Sequence, residues 1–470
     1  MAAAFQVLCS RVLISTVWSF MPGRPFHAWT DGNLAAACGH HELCVLHPKL
    51  TFTSRALDLA ARRGHVDVVA WLLQHNIGGS VSFMTWDFAA KGGHLDVLKC
   101  LHAAVPSSYG SMNALDWAAS YGHESTVRWL LHTFGSKSSF AMNEAAKHGH
   151  FSIVKLLHNE GCTCTTSAMN EAAGNGHYDI VKFLHEHRVE GCTTDAMDLA
   201  AANGHFNIVK FLHVNRTEGA TNRAMQGAAS NGHFELVQFL HSELHLPMNG
   251  VSLDDAAIGG HLDMVQFLHA NRSTASTRAM DGAAANGHLA VLQFLHRRRL
   301  EVCTTAAMDV AAANGHLEVV QWLHRHRSEG CTTEAMNLAA AHGHLEIVSW
   351  LHEHRFEGAT VSAMDTAAAN GHLGVLAWLH QHRLEGGTTR AMDYAALNGH
   401  LKVVQWIHTN RPDMGCTTWA MDWAACRGHL EILEFLHTHR NEGCTIRAYE
   451  WAEHHGHHHV KAWLEHHGLC

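Results

Sequence analysis

The stretch CTTEAMNLAAAHGHLEIVSWLHEHRFEG, Cys331–Gly358, decides how the rest of this chain is read. Its Gly-His pair recurs with the histidine at His40, His65, His94, His123, His150, His177, His205, His233, His261, His288, His316, His344, His372, His400, His429 and His457. Neighbouring members lie 25–29 residues apart, most of them 28. A fixed period of this length marks stacked repeats, each one supersecondary unit. Sixteen units fill the chain from about residue 34 onward, so the pattern leaves no room there for a second domain.

Each unit reads as two helices. The hydroxyls of Thr332 and Thr333 are suited to accept from free N–H groups at a helix start. The first helix carries Ala339 and Ala340, and Gly343 stops it, because glycine takes the left-handed conformation that follows many helices. A second helix is predicted from about Leu345, with Leu345, Ile347, Val348 and Leu351 at amphipathic spacing. An Ala-Ala pair occupies the same place in fifteen of the sixteen units; the last has Ala452-Glu453, a charge suited to an end repeat. Six residues after the repeat His there is usually a Trp or Phe, as at Trp322, Trp350 and Trp378, expected to supply core burial.

These residues resemble the ankyrin repeat. The match is A-A-x-N-G-H-L-E-V-V, as in Ala311–Val320, and a close variant at Ala339–Val348. Ankyrin units usually run to about 33 residues. These are shorter, and the shortfall lies between the second helix and the next Thr, where the family carries a β-turn finger. The usual Thr-Pro-Leu-His start is also replaced by Thr-Thr-x-Ala-Met-Asp, with Asp or Asn in the place of the family's His. The resemblance implies an all-α, ankyrin-like helical solenoid of about 16 helix-turn-helix repeats with reduced or absent fingers. The organisation expected is an N-terminal capping segment, residues 1–33, followed by the repeat array, residues 34–470.

Composition narrows the classes of function. A net charge of −9 argues against a sequence-independent grip on nucleic acid phosphates. No apolar run approaches the ~18 residues of a membrane span. Six of the 13 cysteines (Cys162, Cys192, Cys303, Cys331, Cys416 and Cys444) share one repeat position with Ala220, Ala359 and Gly387, so the position needs a small side chain rather than a thiol. Cysteines one repeat apart lie beyond disulfide reach, which points to a reduced, intracellular protein, of the cytoplasm with the nucleus as the alternative. Residues 1–20 are fairly apolar and read as an amphipathic capping helix ending at Met21-Pro22-Gly23, with a weak likeness to a targeting segment.

The repeated columns carry little catalytic chemistry. The methionines Met142, Met169, Met197, Met225, Met280, Met308, Met336, Met364, Met392 and Met421 share a position with Leu57, Trp86 and Leu115, which fits core packing and not a thioether metal site. Asp309, Asp365 and Asp422 interchange with Asn143, Asn170 and Asn337, which excludes a general base and fits an oxygen near a positive helix start. Histidines of one column, on helices about 8–10 Å apart, cannot share an ion held at about 2 Å. An inter-helix hydrogen bond from the imidazole is expected instead. The C-terminal group His454, His455, His457, His458, His459, His466 and His467 is the place where weak zinc or nickel binding is expected. Arg188, Arg216, Arg327, Arg355, Arg383 and Arg440, with a Glu two residues after each, read as a solvated ion-pair ladder. No nucleophile–base set, phosphate loop or CxxC pair appears, so no enzyme and no cofactor are expected.

The variable positions are what remains for function. Ten and six residues before each repeat His, at i and i+4 on one face of the first helix, side chains change freely on a constant framework. Candidate partner-binding residues there are Phe88, Trp117, Arg390, Tyr394, Trp419, Trp423, Arg447 and Trp451, of the types that dominate interface hot spots. The expectation is a non-catalytic, monomeric scaffold that binds an unknown protein, and neither nucleic acid nor membrane. The rival reading is a histidine-rich metal-buffering or pH-responsive protein. The segment Glu243–Gly250, with Pro247, loses the Arg-Glu pattern and reads as a bend.

Overall fold

The computed structural model describes residues 31–47, 49–77, 81–106, 111–135, 137–248, 250–271, 273–298 and 302–469. The capping helix expected over residues 1–20 lies outside them. Among the described residues the chain is a succession of 32 helices, from Gly32–Ala37 to His458–His466, and forms no strand. One isolated bridge, between Asp31 and Thr51, is the sole β pairing among them. The chain is thus an all-α helical solenoid. It divides into two units, residues 1–228 with 235–246, and residues 229–234 with 247–470. The division falls in the segment around Pro247, where the repeat pattern breaks.

The repeat around Cys331 shows why these residues form these helices. Thr332 is extended, and its Oγ accepts the Glu334 N–H at 3.1 Å, capping the helix Thr333–Ala341. His342 ends that helix, and Gly343 at φ +82° reverses the chain. Helix Leu345–His354 follows directly and ends at Arg355.

Within each unit, first helices pack on the first helices of their neighbours and on their own second helix. The Ala pair permits the close approach: Ala339 and Ala340 are wholly buried. Met336, Ile347, Val348 and Leu351 fill the space between the two helical layers. Every methionine of the repeat column is buried, in line with core packing. Fully burying such a side chain contributes about 1.5–3 kcal/mol, yet one pair of short helices cannot close off its own apolar face and depends on its neighbours.

Polar columns fix the register between repeats. Asp365 accepts both the backbone N–H and the hydroxyl of Thr388, the N-cap of the next repeat, each at 2.7 Å. Asn337 does the same work with one bond reversed: its Oδ1 accepts the Thr360 N–H at 3.0 Å, and its Nδ2 donates to the Thr360 hydroxyl at 3.1 Å. The hydroxyl can donate or accept, which is why Asp and Asn interchange. The repeat histidines bond across the same boundary. Nε2 of His65, His94, His123, His150, His177 and His261 lies 3.0–3.2 Å from a carbonyl of the preceding repeat's first helix end. A carbonyl can only accept, so Nε2 carries the proton.

Two sequence expectations are corrected. The Trp/Phe column is not the core: Trp322 is buried, but Trp350, Trp378 and Trp406 are half-buried on the second-helix face. Trp322, Trp350 and Trp378 are each held between two imidazoles, and Trp406 meets one, that of His380. Trp350 stacks on His354 of its own helix at 4.5 Å and takes the edge of His324, from the preceding repeat, at 5.2 Å. Histidine on the i+4 position of this ring forms a third column, His187, His326, His354, His382, His439 and His467, each with Nδ1 donating to the i−4 carbonyl. The other correction concerns the Arg-Glu pairs, which are largely enclosed rather than solvated: the side chains of Arg355 and Glu357 are 15% and 16% exposed. They sit where an ankyrin finger would project. Arg383 lies against Gly358 of the preceding turn, where a Cβ would come within 2.5 Å of its Nη2. Hydrogen bonding to arginine outweighs burial and holds Glu218 and Glu442 down to about 2.

Candidate partner-binding surface

The first helices carry the candidate residues on the side away from the Ala pair. In helix Ile446–His454, Ala448 and Ala452 are buried while Arg447 is exposed and Trp451 half-exposed. The i, i+4 spacing sets Trp419 and Trp423 of helix Thr418–Arg427 side by side, with ring centres 4.9 Å apart. Repeat stacking then brings in their neighbours. Tyr394 stacks on Trp423 at 5.2 Å, and Trp419 stacks on Trp451 at 6.1 Å. The Arg447 guanidinium lies over both Trp419 and Trp451, at 5.2 and 6.0 Å from the ring centres. Tyr394 and Trp419 stay more than a third exposed. Arg390 is exposed one helical turn from Tyr394 and makes no ring contact.

A groove of about 580 Å³ opens beside this cluster, with Leu397, Trp423, Cys426 and Trp451 as its apolar wall and Arg427 and His455 at its rim. The sequence named the rings but missed Leu397, Cys426 and Arg427, which lie on the C-terminal turn of their helices. Their signal was present: each stands three or four residues after a variable position.

Phe88 and Trp117 form a separate, smaller cluster in the first unit. Their rings stack at 6.2 Å, with Lys91 5.1 Å from Trp117 and from Tyr121, and Arg62 5.7 Å from Phe88.

Several of the C-terminal histidines commit a ring nitrogen to a backbone carbonyl. His455 spends Nδ1 on the Trp451 carbonyl, and His467 spends Nδ1 on that of Trp463. His459 reaches the Gly428 carbonyl of the preceding repeat at 3.2 Å. His454 stands beside His455, and His466 beside His467, each pair 5.1 Å apart between ring centres, while His458 is exposed. Among the described residues, no three His, Cys, Asp or Glu side chains are grouped to hold a metal ion. No helix of the described residues is long and apolar enough to cross a membrane. The eleven described cysteines are free thiols. Burial raises Cys331 to about 11 and Cys416 to about 12, which keeps them as thiols.

Family comparisons agree with this geometry. A model described as ankyrin repeats (3 copies) matches residues 57–140, 142–222, 197–281, 280–365 and 308–390, and one described as ankyrin repeats (many copies) matches 392–437. The chain belongs to the ankyrin-repeat family. No curated protein matches this ankyrin-repeat chain.

Proposed function

We propose that this ankyrin-repeat protein is a non-catalytic scaffold that captures another protein on its first-helix face, anchored by Tyr394, Trp419, Trp423, Arg447 and Trp451. The observation that carries the reading is the contiguity of those five side chains. They come from three successive repeats, keep exposed ring area, and rest on alanines that are fully buried. Tyr, Trp and Arg clustered on a rigid support are the residues that concentrate binding energy at interfaces. The family supports the same direction, since ankyrin repeats are interaction modules. Affinity capture from cells with the full chain, repeated with Trp419→Ala and Trp423→Ala, tests it. Partners lost in both variants support the patch, and an unchanged partner set rejects it.

A second reading, pH-responsiveness, draws on a different observation. Arg355 Nη1 points at Nδ1 of His324 at 3.4 Å, and Arg383 Nη1 at Nδ1 of His352 at 3.3 Å. An imidazole that accepts from a guanidinium must be neutral. At His324, acid would therefore place two cations together inside its arginine-glutamate turn.

A further inference from the structure

We infer that the groove beside Trp423 and Trp451 docks an acidic peptide segment bearing one bulky apolar side chain. This rests on the proposed scaffold function and adds the chemistry of the partner. Four arginines of one repeat column differ in their partners. Arg223, Arg278, Arg390 and Arg447 all stand ten residues before a repeat His. Two of them are neutralised by the preceding repeat: Arg223 pairs with Asp195 at 3.0 Å, and Arg278 with Asp255 at 3.6 Å. At Arg390 and Arg447 the preceding repeat offers Ser362 and Thr366, or Trp419 and Trp423, in place of an acid. Among the described residues, neither guanidinium has a carboxylate within ion-pair distance, and nor does Arg427 in the groove lining.

Arg427 thus lines the apolar groove and Arg447 lies over the ring of Trp451 in its wall, on a chain whose net charge is −9. Arg390 stands outside the lining, and the charge of Arg447 also acts on the buried Asp422. Of the acids on the last repeat, Glu453 is paired with Lys461 at 2.6 Å, Glu465 accepts from the Tyr449 hydroxyl at 3.0 Å, and Glu450 is exposed without an ion pair among the described residues. Desolvated or aromatic-backed guanidinium groups are strong carboxylate receptors. The volume beside Trp423 and Trp451 suits a single Leu-, Phe- or Trp-sized side chain and its flanking backbone. Residues 1–30 of this chain contain no Asp or Glu, so they do not supply the complementary charge.

The test uses the full chain and fluorescence anisotropy with four labelled probes. These are a short Glu/Asp-rich peptide with a central Leu-Phe, the same peptide with Lys for each acid, a peptide of residues 1–30, and an oligouridylate. Tightest binding by the acidic peptide supports the inference. So does a loss of about tenfold or more in each of Arg427→Glu, Arg447→Glu and Trp423→Ala, with melting temperatures of the two arginine variants unchanged. Binding of the lysine peptide with equal strength, still sensitive to Trp423→Ala, overturns the acidic assignment and leaves the docking surface in place. Preference for the oligouridylate or for residues 1–30 overturns the choice of occupant. Failure of every probe to respond to Trp423→Ala overturns the docking surface itself.

Discussion

Asp309 holds the N-cap of the following repeat: its two carboxylate oxygens accept the backbone N–H and the hydroxyl of Thr332, each at 2.8 Å. Thr332 is thereby fixed in the orientation that caps its own helix, through the Glu334 N–H at 3.1 Å. One side chain therefore couples the placement of one repeat to the initiation of the next.

Asp309→Ala is expected to destabilise the fold by about 1–3 kcal/mol, the cost of leaving buried polar partners unmade. Asp309→Asn is expected to stay within about 1 kcal/mol, because Asn337 makes the equivalent pair with Thr360 in the next repeat. Burial raises the pKa of Asp309 despite its bonds to Thr332, so the neutral amide also avoids a desolvation cost. Urea unfolding of the two variants measures the difference. Equal losses in both would disprove the reversed-hydroxyl account.

Glycine at the repeat pair is needed twice over. Gly343 has φ +82°, and a Cβ there would lie 2.6 Å from the His372 ring of the next repeat. Gly456 holds the same place in the last repeat at φ +75°, with nothing within 4 Å of its Cβ position. Gly456→Ala is expected to cost about 1–2 kcal/mol from left-handed strain. Gly343→Ala adds overpacking of about 1–3 kcal/mol. Thermal melts of the pair separate the contributions, and matching midpoints would remove the role given to the His372 contact.

Enclosed and exposed ion pairs should differ in worth. Arg355 hydrogen-bonds Glu357, and both are mostly buried, whereas Arg128 and Glu124 are 52% and 42% exposed. Loss of Arg355 to Ala is expected to cost about 2–3 kcal/mol, in the range for hydrogen bonds to charged groups. Arg128→Ala is expected to cost under about 1 kcal/mol. Denaturant midpoints report both, and an Arg355→Ala protein as stable as Arg128→Ala would restore the solvated-ladder reading.

Acid should act in two steps of the same sign. Burial, then the charge of Arg355, depresses His324; burial lowers His94, His344 and His429, with nearby histidines adding to it. A depressed folded-state pKa means that the stabilising contribution is complete above the unfolded value of about 6.5, and is lost as pH falls below it. For His324 the groups that face it are Arg355, His354, Glu357 and Arg325. Glu218 and Glu442, held at about 2 by Arg216 and Arg440, contribute above the ordinary Glu range and lose that contribution toward pH 2. Melting temperature is therefore expected to fall first between about pH 6.5 and 5 and again below about pH 4.5. A midpoint that is flat from pH 7 to 5 would refute the histidine step.

The sequence by itself determined the period, the two helices of each unit, the capping threonines, the left-handed glycine and the buried methionines. Each of these follows from local stereochemistry or from a spacing repeated many times, so Thr332, Gly343 and Met336 could be read without knowing any neighbour. It also named the rings Tyr394, Trp419, Trp423 and Trp451, because they vary on a face where the framework is constant. What only the tertiary structure decided is which partners meet across a repeat boundary. Asp309 was legible as an oxygen near a helix start, but the helix is the next one. Arg355 and Glu357 looked solvated, because the turn that encloses them is built by two repeats together. Trp350 looked like core, because a ring between two imidazoles and a ring between two leucines have the same local spacing. The physical reason is common to all three: period fixes the direction in which a side chain leaves its own helix, and burial depends on what the adjoining repeat brings to meet it.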